Sequence, residues 1–264
     1  MGDVVMRVIL IALLAAPLLA GGAEALPSAS NVLARVIARA QQTAGATETN
    51  HYVYEKRSVI TELDEKDLVI KSNEKLYRVK LVGGLPFPRL VKIHGRELTA
   101  KELEKENERE LAFRERMTRV DMKKKSRMKE SLVTADLVER FDFTVTGRDT
   151  VEGRPTLIVK FAPRANAPDK SMEDKIFKHV RGTIWVDEAE GELTKLDANL
   201  AGPLPLGWFG AIGSLHHFQA TVERARLPDG VWVNRKSFFH IVARKLFSAI
   251  RLKTIEESSG FRRE

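Results

Sequence analysis

Residues 214–243 read S-L-H-H-F-Q-A-T-V-E-R-A-R-L-P-D-G-V-W-V-N-R-K-S-F-F-H-I-V-A, and this stretch decides the architecture. Pro228-Asp229-Gly230 is a turn: proline presets φ, the aspartate bonds local backbone, and glycine accepts a positive φ. The flanking runs, 214–226 and 231–243, are rich in aromatic and β-branched residues and predict two long antiparallel strands. Working outward, 246–257 is a further strand on one side, and 192–200 and 182–187 are strands on the other. Phe141, Phe143 and Val145 share one strand face, Val151-Glu152-Gly153-Arg154 turns the chain, and Leu157, Val159 and Phe161 continue that face. Nearer the N-terminus, 51–63 and 68–82 form a hairpin around Asp64-Glu65-Lys66-Asp67. Gly83-Gly84, Pro86 and Pro88 break the second strand, and Arg89 to Ile93 makes a short third one.

Helical spacing occurs in a few places. Val32, Leu33, Val36, Ile37 and Ala40 mark one face of a helix over 30–44, with Ser30 or Asn31 as its cap and Gly45 as its end. Residues 99–140 form a charged helical insert. Between Lys101 and Glu130 there are eleven Lys or Arg and eight Asp or Glu, with acids early and bases late, as the helix dipole favours. Thr99 and Glu102 make a capping box, and Glu110–Arg114 is one of its i,i+4 pairs. Its apolar positions are sparse, so weak packing is expected. A second piece, 131–140, aligns Val133, Leu137 and Phe141, and Ser171 caps a short helix within 171–180. Many antiparallel strands in meander order with a few helices predict an α+β fold. The expected form is one strongly curved antiparallel sheet, an incomplete β-barrel, with helices covering its concave side.

Met1 to Arg7, the apolar run of 13 residues from Val8 to Ala20, and Ala23-Glu24-Ala25 follow the three-part pattern of a signal peptide. The run is shorter than the roughly 20 residues a membrane span needs. The expected organisation is a signal peptide, 1–25, cleaved near Ala25, then a single domain over 26–264 in the periplasm. The absence of cysteine excludes disulfides, thiol nucleophiles and thiolate metal sites. At 43% hydrophobic and 30% charged residues the chain is globular rather than disordered.

Enzyme motifs are not found: there is no Gly-rich phosphate loop, no nucleophile elbow and no His-Glu-x-x-His run. His216 and His217 point to opposite faces of a strand, so a metal site would need His216, His240 and a carboxylate to converge; no metal and no cofactor are expected. Asp187 and Asp197, at strand ends, are the carboxylates a hydrolase reading would use, and no partner for either is recognisable. The net charge of +8 and the Lys123–Lys129 cluster invite a nucleic-acid reading. Export argues against it, and an anionic membrane surface suits the charge better.

The most informative segment is 198–222, where no formal charge occurs over 25 residues. Its centre, Gly202-Pro203-Leu204-Pro205-Leu206-Gly207-Trp208-Phe209-Gly210-Ala211-Ile212-Gly213, is too rich in Gly and Pro for a helix. It is an apolar loop that either folds over the core or forms the lip of a ligand cavity.

His51-Tyr52-Val53-Tyr54-Glu55, Lys75-Leu76-Tyr77-Arg78 and the strand Arg181-Gly182-Thr183-Ile184-Trp185-Val186-Asp187, taken in this order with the leading helix and the meander, resemble the lipoprotein-carrier (LolA/LolB-like) superfamily. The resemblance covers most of 30–255. It implies an incomplete barrel plugged by helices and a cavity for acyl chains. Carriers of this group move lipoproteins from inner to outer membrane, and related domains sense envelope lipoproteins. No catalytic residue carries over, and the insert at 99–130 departs from the carriers.

The leading expectation is a non-catalytic periplasmic binding or carrier protein for acyl chains, lipid or lipoprotein. Trp208 and Phe209 would stand at the cavity mouth, with Phe143, Phe161, Trp185 and Phe218 as further ligand-binding residues. Val159, Ile184, Val186 and Leu196 line either the cavity or the core. The alternative is an envelope interaction or sensing protein acting through the charged helix 99–130. Oligomeric state is left open.

Overall fold

The structure is a computed structural model, and it describes residues 25–45, 52–83, 85–119, 138–169, 171–206, 213–245 and 248–264. Residues 1–24 of the expected signal peptide, His51, the insert from 120 to 137, and Trp208 and Phe209 lie outside the described residues.

Helix α1 (Ala29–Gly45) precedes strands β1 (Tyr52–Leu63), β2 (Val69–Val82), β3 (Leu85–Ile93) and β4 (Arg96–Glu97). Helix α2 (Ala100–Arg119) follows, then β5 (Phe141–Val151), β6 (Arg154–Pro163) and helix α3 (Met172–Phe177). The chain ends with β7 (Val180–Asp187), β8 (Leu193–Leu200), β9 (Leu204–Leu206), β10 (Gly213–Arg226), β11 (Trp232–Lys245) and β12 (Ser248–Arg263). All twelve strands join one antiparallel sheet, ordered β4-β3-β2-β1-β12-β11-β10-β8-β7-β6-β5, with β9 beside the start of β10. The sheet is open, with β4–β3 at one edge and β5 at the other. It is two meanders joined where β1 pairs with β12, from Tyr52↔Arg263 to Glu62↔Leu252. A simple meander does not place the first and last strands together.

Local chemistry accounts for the corners. Glu152 and Gly153 both have positive φ, 52° and 75°, between the paired Val151 and Arg154. That is the mirror-image two-residue turn whose twist suits a hairpin. Gly182 is a close-approach glycine. A Cβ there would lie 2.0 Å from the Asp197 carbonyl oxygen and 2.9 Å from the Phe161 ring, so Phe161 lies across β7 at the one position without a side chain.

Helix α1 lies on one face of β5–β8. Val32 and Val36 enter a cluster with Leu157, Val159, Ile184 and Val186, flanked by Phe143, Val145, Phe161, Leu193 and Leu196. Its cap is Ser28, whose Oγ accepts the Asn31 N–H, rather than Ser30 or Asn31. The β7–β8 turn fastens the helix to the sheet. Asp187, 1% exposed, accepts both arms of Arg154 at 2.6 and 3.1 Å and the N–H groups of Ala189 and Glu190. Glu192 binds Arg39 of α1 and Arg224 of β10, and Glu190 accepts from Arg226 and from the Trp232 indole. Burial pushes the Asp187 carboxyl up, but Arg154 and the two N–H groups outweigh it and hold it below its ordinary range.

The third strand begins at Leu85 rather than Arg89 and includes both prolines expected to break the strand before it. Prolines are tolerated there because β3 is nearly an edge strand, β4 pairing with Lys92 and Ile93 alone. Helix α2 runs along this edge and substitutes for a neighbouring strand. Glu106 accepts the Leu90 N–H at 2.9 Å, and Arg109 donates to the Pro88 carbonyl. Glu110 binds Lys80 and Arg89, and with Lys80 foremost its carboxyl is held below the ordinary range. The capping box of Thr99 and Glu102 is present, as is the Glu110–Arg114 pair. The expectation of a weakly packed helix needs correction: Glu106 is only 5% exposed, Met117 is 4% exposed, and Phe113 packs on Phe87 at 5.1 Å between ring centroids. Ser171 and Asp174 cap α3 reciprocally, as the sequence predicts.

Candidate functional site

Residues directly opposite in an antiparallel sheet share a face, so register identifies what α1 covers and what it leaves. One row on the α1 face runs Phe143, Phe161, Gly182, Ala198, Ala220, Phe239, Thr254, Ile60, across eight strands. A second row places Val180 opposite Leu200 and Phe218 opposite Ile241 and Leu252. These pairs join one step beyond Asn199↔Gln219. Both rows are apolar except Thr254. Under α1 they merge with the buried cluster. Over β10, β11 and β12 their residues Phe218, Phe239, Ile241 and Leu252 are half-buried, and Ile60 on β1 is 44% exposed. Five strands at ~4.8 Å spacing make the second row about 19 Å long, the length scale of a long acyl chain.

The aromatic residues expected to bind a ligand divide into three groups. Phe143 and Phe161 come together at 6.2 Å between ring centroids and join Phe141 and Phe177 at the α1 edge of the rows. Phe218 lies on the part that α1 leaves uncovered. Trp185 is on the opposite face, where its indole donates to Asp149 at 3.0 Å and Lys195 stands 5.0 Å over its ring. It borders a shallow cavity of about 240 Å³ with Asp149, Glu152 and Glu223, separate from the apolar rows. The reason is parity: Ile184 and Val186 point to α1, so Trp185 between them cannot. Val159, Ile184 and Val186 are core residues under α1, while Leu196 is partly buried beside them.

Sequence reasoning missed Phe239, Ile241, Leu252 and Ile60. The run Phe238-Phe239-His240-Ile241-Val242 is apolar on both faces, so alternation did not mark its α1 side. Asp187, a candidate for hydrolytic chemistry, is committed to the turn that anchors α1. His216 bonds Ser214 and does not meet His240; His217 does, at 4.5 Å between rings. Among the described residues no group of three His, Asp or Glu is placed to hold a metal, and no helix is long and apolar enough to cross a membrane.

No family model matches the chain, and no curated protein does. Solved structures do. One is a domain described as an outer membrane lipoprotein-sorting protein, from Vibrio parahaemolyticus, at 10% identity and TM-score 0.33, covering 85% of this chain and 91% of that one. A DUF1329 family protein from Desulfovibrio piger is 12% identical with a TM-score of 0.35, covering 90% and 94%. A LolA superfamily protein from Nitrosomonas europaea is 8% identical with a TM-score of 0.30, covering 90% and 94%. The chain is similar to these solved structures along most of its length, at 8–12% identity and TM-scores of 0.30–0.35.

Proposed function

We propose that the protein is a non-catalytic, periplasmic binding or carrier protein for acyl chains, lipid or lipoprotein. The observation that carries this reading is the pair of apolar rows that continue past α1 over β10–β12. An acyl chain laid along them gains ~0.8 kcal/mol for each methylene removed from water, so useful affinity needs no charged or catalytic group.

A membrane is the source from which such a ligand is collected, and one end of the sheet is suited to meeting it. The β1–β2 and β11–β12 hairpins are neighbours there, because Glu62 pairs with Leu252. Their tips carry Leu68, Val69 and Ile70, each 62–65% exposed, and Ile250 at 45%. The segment with Trp208 and Phe209 enters β10 at Gly213, at this same end of the sheet, because Ser214 pairs with Arg244 beside the β11–β12 tip, and we assign those two residues to the mouth.

Native mass spectrometry of protein purified from a bacterial envelope without detergent tests the reading. A discrete lipid or acylated adduct is expected, and replacing Trp208 and Phe209 by alanine is expected to lower its retention without unfolding the protein. An unliganded mass that stays unchanged after incubation with envelope lipids and acylated peptides would overturn it. The reading would then move to envelope interaction through the charged helix 99–130.

A further inference from the structure

The face opposite α1 carries an unusual group of nitrogen-bearing side chains on three adjacent strands. His217 pairs with Val242, and Val242 with Arg251; Gln219 pairs with His240, and His240 with Lys253. His217 and Arg251 therefore share a row on either side of Val242, and His240 stands in the next row on β11 with Lys253 directly beside it, all on one face. The same row continues through Asn199 to Arg181. The two imidazole rings are 4.5 Å apart. Four buried side-chain polar atoms among the described residues have no hydrogen-bond partner, and three of them are here: His217 Nε2, His240 Nε2 and Arg251 Nε. Native structures rarely leave such atoms unpaired, so three at one place call for a ligand.

The charges around the group select the ligand. Arg251 can only donate, and Lys253 and Arg181 are cationic, so a metal cation is repelled. The acid that faces the group is Asp67, from the β1–β2 turn, and it is occupied by Arg251 Nη1 at 3.3 Å. That leaves Arg251 Nε free. Both imidazoles donate when protonated, so an oxyanion would accept from all three nitrogens at once. The geometry points to a binding site for a phosphoryl oxyanion on this face, formed by His217, His240 and Arg251 with Lys253 beside them. It lies across the sheet from the apolar rows, so it does not depend on the acyl-chain reading. The group fits a free phosphate or the phosphodiester of a lipid headgroup.

Occupancy is coupled to protonation. Burial lowers the His240 proton affinity, the His217, Lys253 and Arg251 charges lower it further, and Asp67 opposes them. A bound oxyanion reverses that balance. Phosphate is therefore expected to raise the His240 pKa from its lowered position, and binding is expected to tighten as that ring gains its proton on acidification.

The test is a proton NMR titration of the histidine ring signals in the purified full-length protein, without and with inorganic phosphate, repeated with a water-soluble short-chain phosphatidylglycerol. An upward shift of the His217 and His240 titrations with either anion supports the site. Response to both assigns a general phosphoryl site, and response to the phosphatidylglycerol alone assigns a lipid headgroup. Arg251→Gln is expected to weaken binding about tenfold with the fold retained, as judged by circular dichroism. If that variant does not fold, the titration of the unaltered protein decides alone. Histidine titrations that neither anion moves at tens of millimolar would overturn the proposal.

Discussion

Strands β5–β8 and strands β10–β12 present one continuous alternating pattern to the same face, yet they end in different environments. Under α1, Val159 is 0% and Val186 2% exposed. On the same face over β10–β12 and β1, Phe218, Phe239 and Ile241 are half-buried and Ile60 is 44% exposed. The strand chemistry is alike in both halves, so what differs is the covering element. Helix α1 is held down by an acidic turn that grips arginines from α1, β6 and β10. Burial in an open sheet is thus decided by what is fastened over it, and among the described residues α1 covers β5–β8 alone.

Paired substitutions test that contrast most directly. Leu157→Ala, under α1, is expected to lower unfolding free energy by about 2–5 kcal/mol, read by chemical denaturation. Ile241→Ala, in the other half, is expected to cost about 1 kcal/mol or less while reducing acyl-ligand retention. Equal stability losses would mean that the two halves do not differ in this way.

Next in size is the clasp itself. Asp187→Asn leaves Arg154 facing a neutral amide in a buried turn and is expected to cost about 3 kcal/mol at neutral pH. The Asp187 pKa is lowered in the fold, so its contribution is complete above the ordinary carboxylate range and is lost as pH falls through the folded value. The unaltered protein is therefore expected to lose stability as pH falls below about 4, and the variant to lose less over the same range. An identical acid profile for the two proteins would remove Asp187 from this role.

The smallest expected effect is at the β3 edge. Glu106→Ala frees the Leu90 N–H and is expected to cost about 1–2 kcal/mol. The uncovered edge should also promote concentration-dependent self-association, visible by sedimentation velocity. A variant that stays monomeric at high concentration would show that α2 is not what protects the edge.

Much of this was legible in the sequence where the signal is local. The Pro228-Asp229-Gly230 turn, the alternation of Leu157, Val159 and Phe161, and the caps at Thr99 and Ser171 each depend on a few neighbouring residues. Three things were not. The prolines of β3 read as breakers because a sequence does not say which strand lies at an edge. Trp185 read as a ligand residue because its neighbours Ile184 and Val186 are apolar too, and parity alone puts it on the other face. The meeting of His217 with His240 depends on a bulge between Glu223 and Arg224 that shifts the register of β10 against β11. The candidate site was read as a lip at 202–213, whereas the apolar rows draw on eight and five strands at once.

The pairing of β1 with β12 has a consequence for how the chain is made. Its partners stand 190 to 211 residues apart in sequence. A chain that emerges one residue at a time, from a ribosome or through a membrane channel, cannot form this seam until its final strand is free. Until then the β1–β4 meander has an open flank at β1, and the later meander has none of β12 to join it. Contacts this distant slow folding and postpone commitment to the native sheet. The connectivity thus makes the β1–β12 seam the step of sheet assembly with the longest reach in sequence, and removal of β12 would leave β1 and β11 as open flanks.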